Sequence, residues 1–296
     1  MNPLTIHLAN GNAFFLGLIF FITMSALGIF TAHPLYALIS RNVLILGALF
    51  VSLSSTPIPL WFAAFWAISL LWVLKHLYAR QPGNHRRTRF VHASVILLSL
   101  AAAGLELPYH LTPGILFDRN KTLVLIGDSI SAGVENDGVH AAWPIIFRQQ
   151  YGVRLIDLSY PGLTLQSALE RLRQQDLSPY ERPVFLLEIG GNDVLGDATA
   201  QQFSDDLHAL LSFVSQTADT VIMLELPLPP FHHAYSKAQR RLAEAFRVTL
   251  IPKRFFAGVL GGRNATFDGL HLSQQGHQQM ADMLGNLFFH PNHHLY

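Results

Sequence analysis

Four short stretches in the second half of the chain carry side chains that could do chemistry together. Gly127-Asp128-Ser129-Ile130-Ser131-Ala132-Gly133 follows an apolar run, residues 122–126, that reads as a strand. A serine just past a strand end sits exposed at the rim of a sheet; alone, Gly-Asp-Ser is also an ordinary turn sequence. Gly190-Gly191-Asn192-Asp193 follows a second apolar run, residues 184–189. The two glycines let the backbone approach a ligand closely. The asparagine amide can then point at developing negative charge, as an oxyanion donor must, although an Asx turn would carry the same residues. Between these lies Ser159-Tyr160-Pro161-Gly162-Leu163-Thr164, where Gly162 precedes a helical stretch and offers a backbone N–H. Near the C-terminus stands Asp268-Gly269-Leu270-His271-Leu272-Ser273. A carboxylate three residues before a histidine can reach the near ring nitrogen in a tight turn. It would fix the tautomer and stabilise the imidazolium, leaving the other nitrogen to take a serine proton. By itself, an Asp-x-x-His spacing is commonly a surface coincidence.

What gives the four stretches weight is the set of elements that must hold them. From Lys121 onward, strand-like and helix-like runs alternate. Strands are expected at 122–126, 154–158, 184–189, 220–226 and 248–251, and helices at 143–151, 165–175, 201–216, 236–246 and 273–289, with Ser273 as the last N-cap. Such alternation predicts a mostly parallel sheet covered on both faces. In these sheets the site lies beyond the carboxyl ends of the strands, and there the suggestive residues fall. Glu188 and Glu225, near strand ends, read as hydrogen-bonded structural carboxylates. Lys253-Arg254, beside Phe255-Phe256, reads as a solvated turn.

Taken together and in order, Gly127-Asp128-Ser129, Gly162, Gly190-x-Asn192-Asp193 and Asp268-x-x-His271 resemble the blocks of the SGNH (GDSL) hydrolase superfamily over about residues 122–287. Within it, Leu187-Glu188-Ile189-Gly190-Gly191-Asn192-Asp193 and Gly162-x-Thr164-x-Gln166 look closest to the bacterial thioesterase/lysophospholipase group. The resemblance implies an α/β, flavodoxin-like three-layer fold with a shallow, open site and no cofactor. It implies Ser129 as nucleophile, His271 as base and Asp268 as the acid that orients it. The oxyanion hole would be the backbone N–H groups of Ser129 and Gly162 with the Asn192 side chain. Asp128 and Asp193 would be structural, holding loops by hydrogen bonds.

The first half of the chain departs from that group. Of its 296 residues the chain has 50% hydrophobic and only 13% charged, against about 25% charged in ordinary soluble domains. The deficit is concentrated before residue 108, where four apolar stretches run at about 12–31, 42–58, 60–77 and 90–107. A spanning helix needs about 20 apolar residues, so a bundle of about four transmembrane helices is expected. The second stretch is the weakest and could instead be re-entrant. The expected domains are a transmembrane part at 1–110, a linker at 111–120 and a hydrolase part at 121–296. Arg41 falls in the first connection, none in the second, and Lys75, Arg80, Arg86, Arg87 and Arg89 in the third. Positive connections stay cytoplasmic. This places the N-terminus and the hydrolase part outside, in a bacterial inner membrane with the enzyme facing the periplasm. Trp61 falls where an interfacial indole is expected, and Trp66 and Trp72 read as packing.

Other classes are excluded or weakened. There is no cysteine, so disulfides, thiolate catalysis and Cys-based zinc sites are ruled out. The net charge of +1 gives no basic stripe for nucleic acid. His232-His233 and His290, His293 and His294 have no carboxylate or cysteine neighbours at ligand spacing, and no metal is expected. The expected activity is a membrane-tethered serine esterase acting on acyl esters of lipids or surface glycans. One alternative is an acyltransferase delivering the acyl group to a glycan hydroxyl. Another is a silent membrane scaffold, against which the intact set of catalytic residue types argues. Acyl length, alcohol and oligomeric state are not legible in the sequence.

Overall fold

A computed structural model of the chain describes residues 2–30, 34–79, 85–133 and 141–290. Arg80, His293 and His294 lie outside the described residues. The chain divides into two compact units, one of residues 7–110 with 229–233, the other built from 1–6, 111–228 and 234–296.

The first unit is helical. After a short α1 (Pro3–Ala9) come α2 (Asn12–Phe30), α3 (Pro34–Leu53), α4 (Leu60–Ala79) and α5 (His85–Glu106), closed by a 3-10 turn at Leu107–Tyr109. The four longer helices are each long and apolar enough to cross a membrane. The helix over the second apolar stretch differs from its expected bounds of 42–58. It begins at Pro34, whose fixed φ suits a first helical position, and stops at Leu53, ahead of Pro57 and Pro59. Ser40-Arg41-Asn42 is therefore helix and not a connection, and the Arg41 guanidinium lies 4.7 Å over the Tyr78 ring. Phe14, Leu18, Phe21, Leu44, Phe62, Trp66 and Val95 form the core of this unit. Gly17 and Gly47 bring α2 and α3 together, since a Cβ on Gly17 would stand 2.7 Å from the Gly47 carbonyl oxygen. Glycines at the crossing let the two helix backbones approach closely. Trp61 is exposed, Trp66 is buried against Phe21 and Phe62, and Trp72 stacks on His76.

The second unit is built on five parallel strands, β1 (Thr122–Gly127), β2 (Arg154–Asp157), β3 (Val184–Glu188), β4 (Thr220–Leu224) and β5 (Thr249–Ile251), in the order β2-β1-β3-β4-β5. This is the doubly wound, flavodoxin-like order, whose direction of winding reverses between β1 and β3. The helices are α6 (Ser129–Ala132), α7 (Trp143–Tyr151), α8 (Leu165–Arg173), α9 (Gly191–Leu195), α10 (Ala200–Thr217), α11 (His233–Ala245), α12 (Lys253–Leu260) and α13 (Gln274–Phe289).

Alternate strand residues face opposite sides, and both sides are apolar. Val124, Ile126, Phe185, Leu187, Val221 and Met223 pack with α8, α10 and α11. Leu123, Leu125, Val184, Leu186, Ile222 and Leu224 pack with α7, α12 and α13. Central strands buried on both faces are the reason their sequences read as unbroken apolar runs.

The 253–256 segment corrects the expectation of a solvated turn. It opens α12, Lys253 is only 2% exposed, and Phe255 and Phe256 join the core. The backbone N–H of Lys253 donates to Glu225 at 3.0 Å, and Glu225 also binds the buried Arg240 at 2.6 Å. That fully buried acid, read in the sequence as a hydrogen-bonded structural carboxylate, draws the helix start inward.

Candidate active site

Strand β1 ends at Gly127, and the chain then turns sharply into α6. Asp128 caps that short helix, its Oδ1 accepting from the Ile130 N–H at 3.0 Å. Ser129, the first helical residue, thus stands at the carboxyl end of the sheet beside the β1–β3 reversal. The turn is dense: a Cβ on Gly127 would come within 2.4 Å of Ser131 Oγ. No other residue type fits at Gly127 without moving that serine.

The dyad sits in a small loop between α12 and α13. An antiparallel bridge joins Thr266 to Leu272, and Gly269 takes a φ of +92°, a left-handed conformation that glycine adopts freely. The turn folds Asp268 back on itself, so that Oδ1 accepts from the N–H groups of Leu270 at 2.8 Å and His271 at 2.7 Å. Its other oxygen, Oδ2, meets His271 Nδ1 at 2.6 Å. The far ring nitrogen, Nε2, lies 3.1 Å from Ser129 Oγ. Partial burial pushes the Asp268 carboxyl up, but the His271 ring and the two N–H groups outweigh it and hold the group at about 2. A carboxylate so held stays ionised at neutral pH and favours the Nδ1–H tautomer. The site is open, with the His271 and Asp268 side chains 28% and 43% exposed. The Phe267 ring lies nearly parallel to the imidazole, 5.7 Å between centroids.

The remaining expected residues lie in the segments after β2 and β3, the strands on either side of β1. Gly162 has a φ of +78° and is exposed. Asn192 lies in the first turn of α9, with its amide donating to the Leu163 carbonyl at 2.9 Å and making a longer 3.4 Å contact with Asp128 Oδ2. Asp193 accepts from the N–H of Leu165, the first residue of α8, at 3.1 Å. The Asn192-Asp193 pair therefore staples the loop carrying Gly162 to the loop after β3. Asp128 and Asp193 both act as loop anchors, as the resemblance implied. Burial raises Asp193, against the Leu165 N–H that lowers it. Burial also pushes Asp128 up to about 6, opposed by the Ile130 N–H and the charge of His271 and reinforced by Asp193.

A buried set stands behind the turn, in which Glu188 is the hydrogen-bonded structural carboxylate expected and its partners were not singled out in the sequence. Ser131 donates to Glu188 at 2.6 Å and accepts from the Trp143 indole N–H at 3.2 Å. The Trp143 backbone N–H donates to His277 Nδ1 at 3.2 Å, and burial lowers His277 to about 4. Gln274 exchanges hydrogen bonds with the Ala141 backbone at 3.1 and 3.3 Å. One sequence signal was available: Ser131 is a second serine in a seven-residue turn whose other positions are two Gly, Asp, Ile and Ala beside Ser129. Of the histidines considered as metal ligands, His232 donates from Nδ1 to the Pro230 carbonyl at 2.8 Å. Among the described residues no group of three or more His, Asp or Glu side chains converges as a metal site would.

With this geometry in place, the likeness to known proteins is consistent. The GDSL-like lipase/acylhydrolase family model matches residues 125–279, more than half of the chain. The chain is 28% identical over 170 residues to the Escherichia coli protein named thioesterase 1/protease 1/lysophospholipase L1, covering 55% of this chain and 81% of that protein. It is 28% identical over 164 residues to esterase TesA of Pseudomonas aeruginosa, covering 51% and 79%. A crystal structure of TesA superposes with a TM-score of 0.50 at 25% identity, covering 56% of this chain and 97% of that one. These matches concern the α/β unit. The chain belongs to the GDSL-like lipase/acylhydrolase family and is a hydrolase of ester bonds.

Proposed function

We propose that the chain is a membrane-tethered serine esterase that hydrolyses acyl esters of lipids or surface glycans through an acyl-enzyme on Ser129. The observation that carries this reading is the continuous relay from Asp268 through His271 to Ser129, at 2.6 and 3.1 Å. His271 Nε2 takes the hydroxyl proton as Ser129 Oγ attacks the ester carbonyl, and Asp268 stabilises the imidazolium. The carbonyl oxygen becomes an oxyanion held by the N–H groups of Ser129 and Gly162 and by the Asn192 amide. The Leu163 bond fixes the plane of that amide, and the second amide hydrogen, now in the long contact with Asp128, serves the oxyanion. The imidazolium returns its proton to the leaving alkoxide. Water then attacks the acyl-enzyme with His271 again as base, releasing the acid and regenerating Ser129. The exposure of His271 and Asp268 supports water as the acceptor over transfer to a second hydroxyl.

Tethering rests on α2 to α5, and sidedness on the basic residues at the adjoining ends of the last two helices, Lys75 in the last turns of α4 and Arg86, Arg87 and Arg89 in the first turns of α5. In this reading the hydrolase unit faces the periplasm. A lipid or lipid-linked ester is favoured because four helices exceed what an anchor needs.

The test is hydrolysis of p-nitrophenyl esters from acetyl to palmitoyl by the whole chain in detergent, beside Ser129→Ala. Serine-dependent turnover rising with chain length is expected. Preference for acetyl redirects the substrate to acetylated glycans, and absence of serine-dependent turnover on every ester overturns the reading. Single cysteines introduced on either side of the helices, in a chain with none of its own, report sidedness. Labelling of the hydrolase unit only from the cytoplasm contradicts the proposed orientation.

A further inference from the structure

The turn that carries Ser129 is held from below by a carboxyl group that takes no part in the relay. Glu188 is the last residue of β3, where the parallel register sets it beside Gly127. It is 1% exposed. Its Oε2 accepts from Ser131 Oγ at 2.6 Å, and the carboxyl also accepts from the backbone N–H of Asp128. Asp128 and Ser131 lie on either side of Ser129. One side chain from the neighbouring strand therefore grips the nucleophile turn before and after the nucleophile. Ser131 is itself fixed from the other side by the Trp143 indole, which is fully buried at the start of α7. Gly127, with no side chain, leaves the space in which Ser131 reaches Glu188.

We propose that Glu188 is a positioning residue for the reaction at Ser129, bracing the nucleophile turn through Ser131 and the Asp128 N–H so that Ser129 Oγ and Ser129 N–H keep their aim. This inference rests on the reading of Ser129 as nucleophile. The physical need is clear: Ser129 must meet His271 Nε2 with its hydroxyl while its N–H points at the oxyanion. A misplacement of about 1 Å in such an arrangement costs on the order of 100-fold in rate. An ordinary surface turn does not hold that tolerance, and a brace fully inside the core does.

Burial disfavours the charged form of Glu188. The titratable and polar groups facing it are Asp128 from the turn and Ser131 from α6, with the Trp143 indole behind Ser131 and His277 of α13 bonded in turn to the Trp143 backbone. Burial raises the carboxyl well above its ordinary value, the charge of Asp128 raises it further, and the bonds from Ser131 and the Asp128 N–H lower it less. No cation faces it among these groups. A glutamine offers the same accepting oxygen to Ser131 and Asp128, so it should replace the acid.

The experiment uses the full chain in detergent, with p-nitrophenyl ester turnover and the rate of fluorophosphonate labelling as readouts. Glu188→Leu is expected to lower kcat and the labelling rate about 10- to 100-fold with KM changed less than about threefold, as a misaligned nucleophile requires. Glu188→Gln is expected to stay within about threefold of wild type, with the same pH dependence of kcat/KM. If Glu188→Leu does not fold, Ser131→Ala removes the same link with a smaller change, and a loss of about 5- to 30-fold in kcat is expected. Wild-type kcat in folded Glu188→Leu or Ser131→Ala overturns the brace while leaving Ser129 as nucleophile. Equal impairment in Glu188→Gln and Glu188→Leu also overturns it, because charge and not hydrogen bonding would then be the requirement. A wild-type chain that fails to label at Ser129 removes both readings together.

Discussion

The two halves of the relay are held in opposite ways. The turn that carries Ser129 grows out of a central strand and is locked by Asp128, Ser131, Glu188 and Trp143, all of them buried. The dyad loop lies at the surface, and its geometry comes from its own short-range bonds, from Asp268 to the next residues and across one bridge. The first half depends on the whole core, the second on a handful of adjacent residues. A substitution in the dyad should therefore damage chemistry with little effect on folding, whereas one in the turn should damage both.

The largest expected effect is on the exposed side. Asp268→Asn keeps the size of the side chain but removes the charge that sets the tautomer, and turnover should fall about 10³- to 10⁴-fold. The melting temperature should stay within a few degrees of wild type, and steady-state kinetics with a thermal melt checks both. Next comes Asn192→Ala, which removes the proposed oxyanion donor and should lower kcat by about 10²- to 10³-fold. Near-normal turnover in the folded variant would show that the amide serves only the Leu163 loop.

On the buried side the effect moves to stability. Gly127→Ala forces a methyl to within 2.4 Å of Ser131 Oγ, and overpacking of this kind costs about 1–3 kcal/mol. A lowered denaturation midpoint together with reduced turnover is expected. An unaltered midpoint would mean that the turn yields as easily as a surface loop.

The smallest effect is a pH dependence. Burial raises the Asp128 carboxyl to about 6 in the folded chain, above its value of about 3.9 when unfolded. The folded state then holds a proton that the unfolded state has lost, so the stabilisation is full below about 3.9 and disappears as pH rises through about 6. Asp128→Asn lacks this titration. The melting temperature of wild type relative to Asp128→Asn should fall between pH 4 and pH 6.5 and level off above. A constant difference across that range contradicts the buried, proton-binding assignment.

The same contrast explains what could be read from the sequence. Strands buried on both faces announce themselves as apolar runs, so the five strands and their parallel packing were legible, and the residues at their ends followed. Asp268 and His271 were legible because their contact is local. Glu188 was legible as a structural carboxylate, but its partners Ser131 and Trp143 were not, since their meeting depends on strand register and on where α7 docks, which no short spacing encodes. The burial of Lys253 was hidden for the same reason: its partner Glu225 is 28 residues away. In the helical unit, apolar length gave the presence of four long helices, while the start of α3 was missed because Ser40-Arg41-Asn42 looks like a connection and is helix.

The central claim is that Ser129 is the nucleophile of an acyl-enzyme. It is tested most directly by treating the whole chain in detergent with a fluorophosphonate and locating the adduct by mass spectrometry. The account predicts a single adduct on Ser129, formed to near completion and absent in Ser129→Ala. A folded wild-type chain that remains unmodified, or that carries its adduct on another residue, would contradict it.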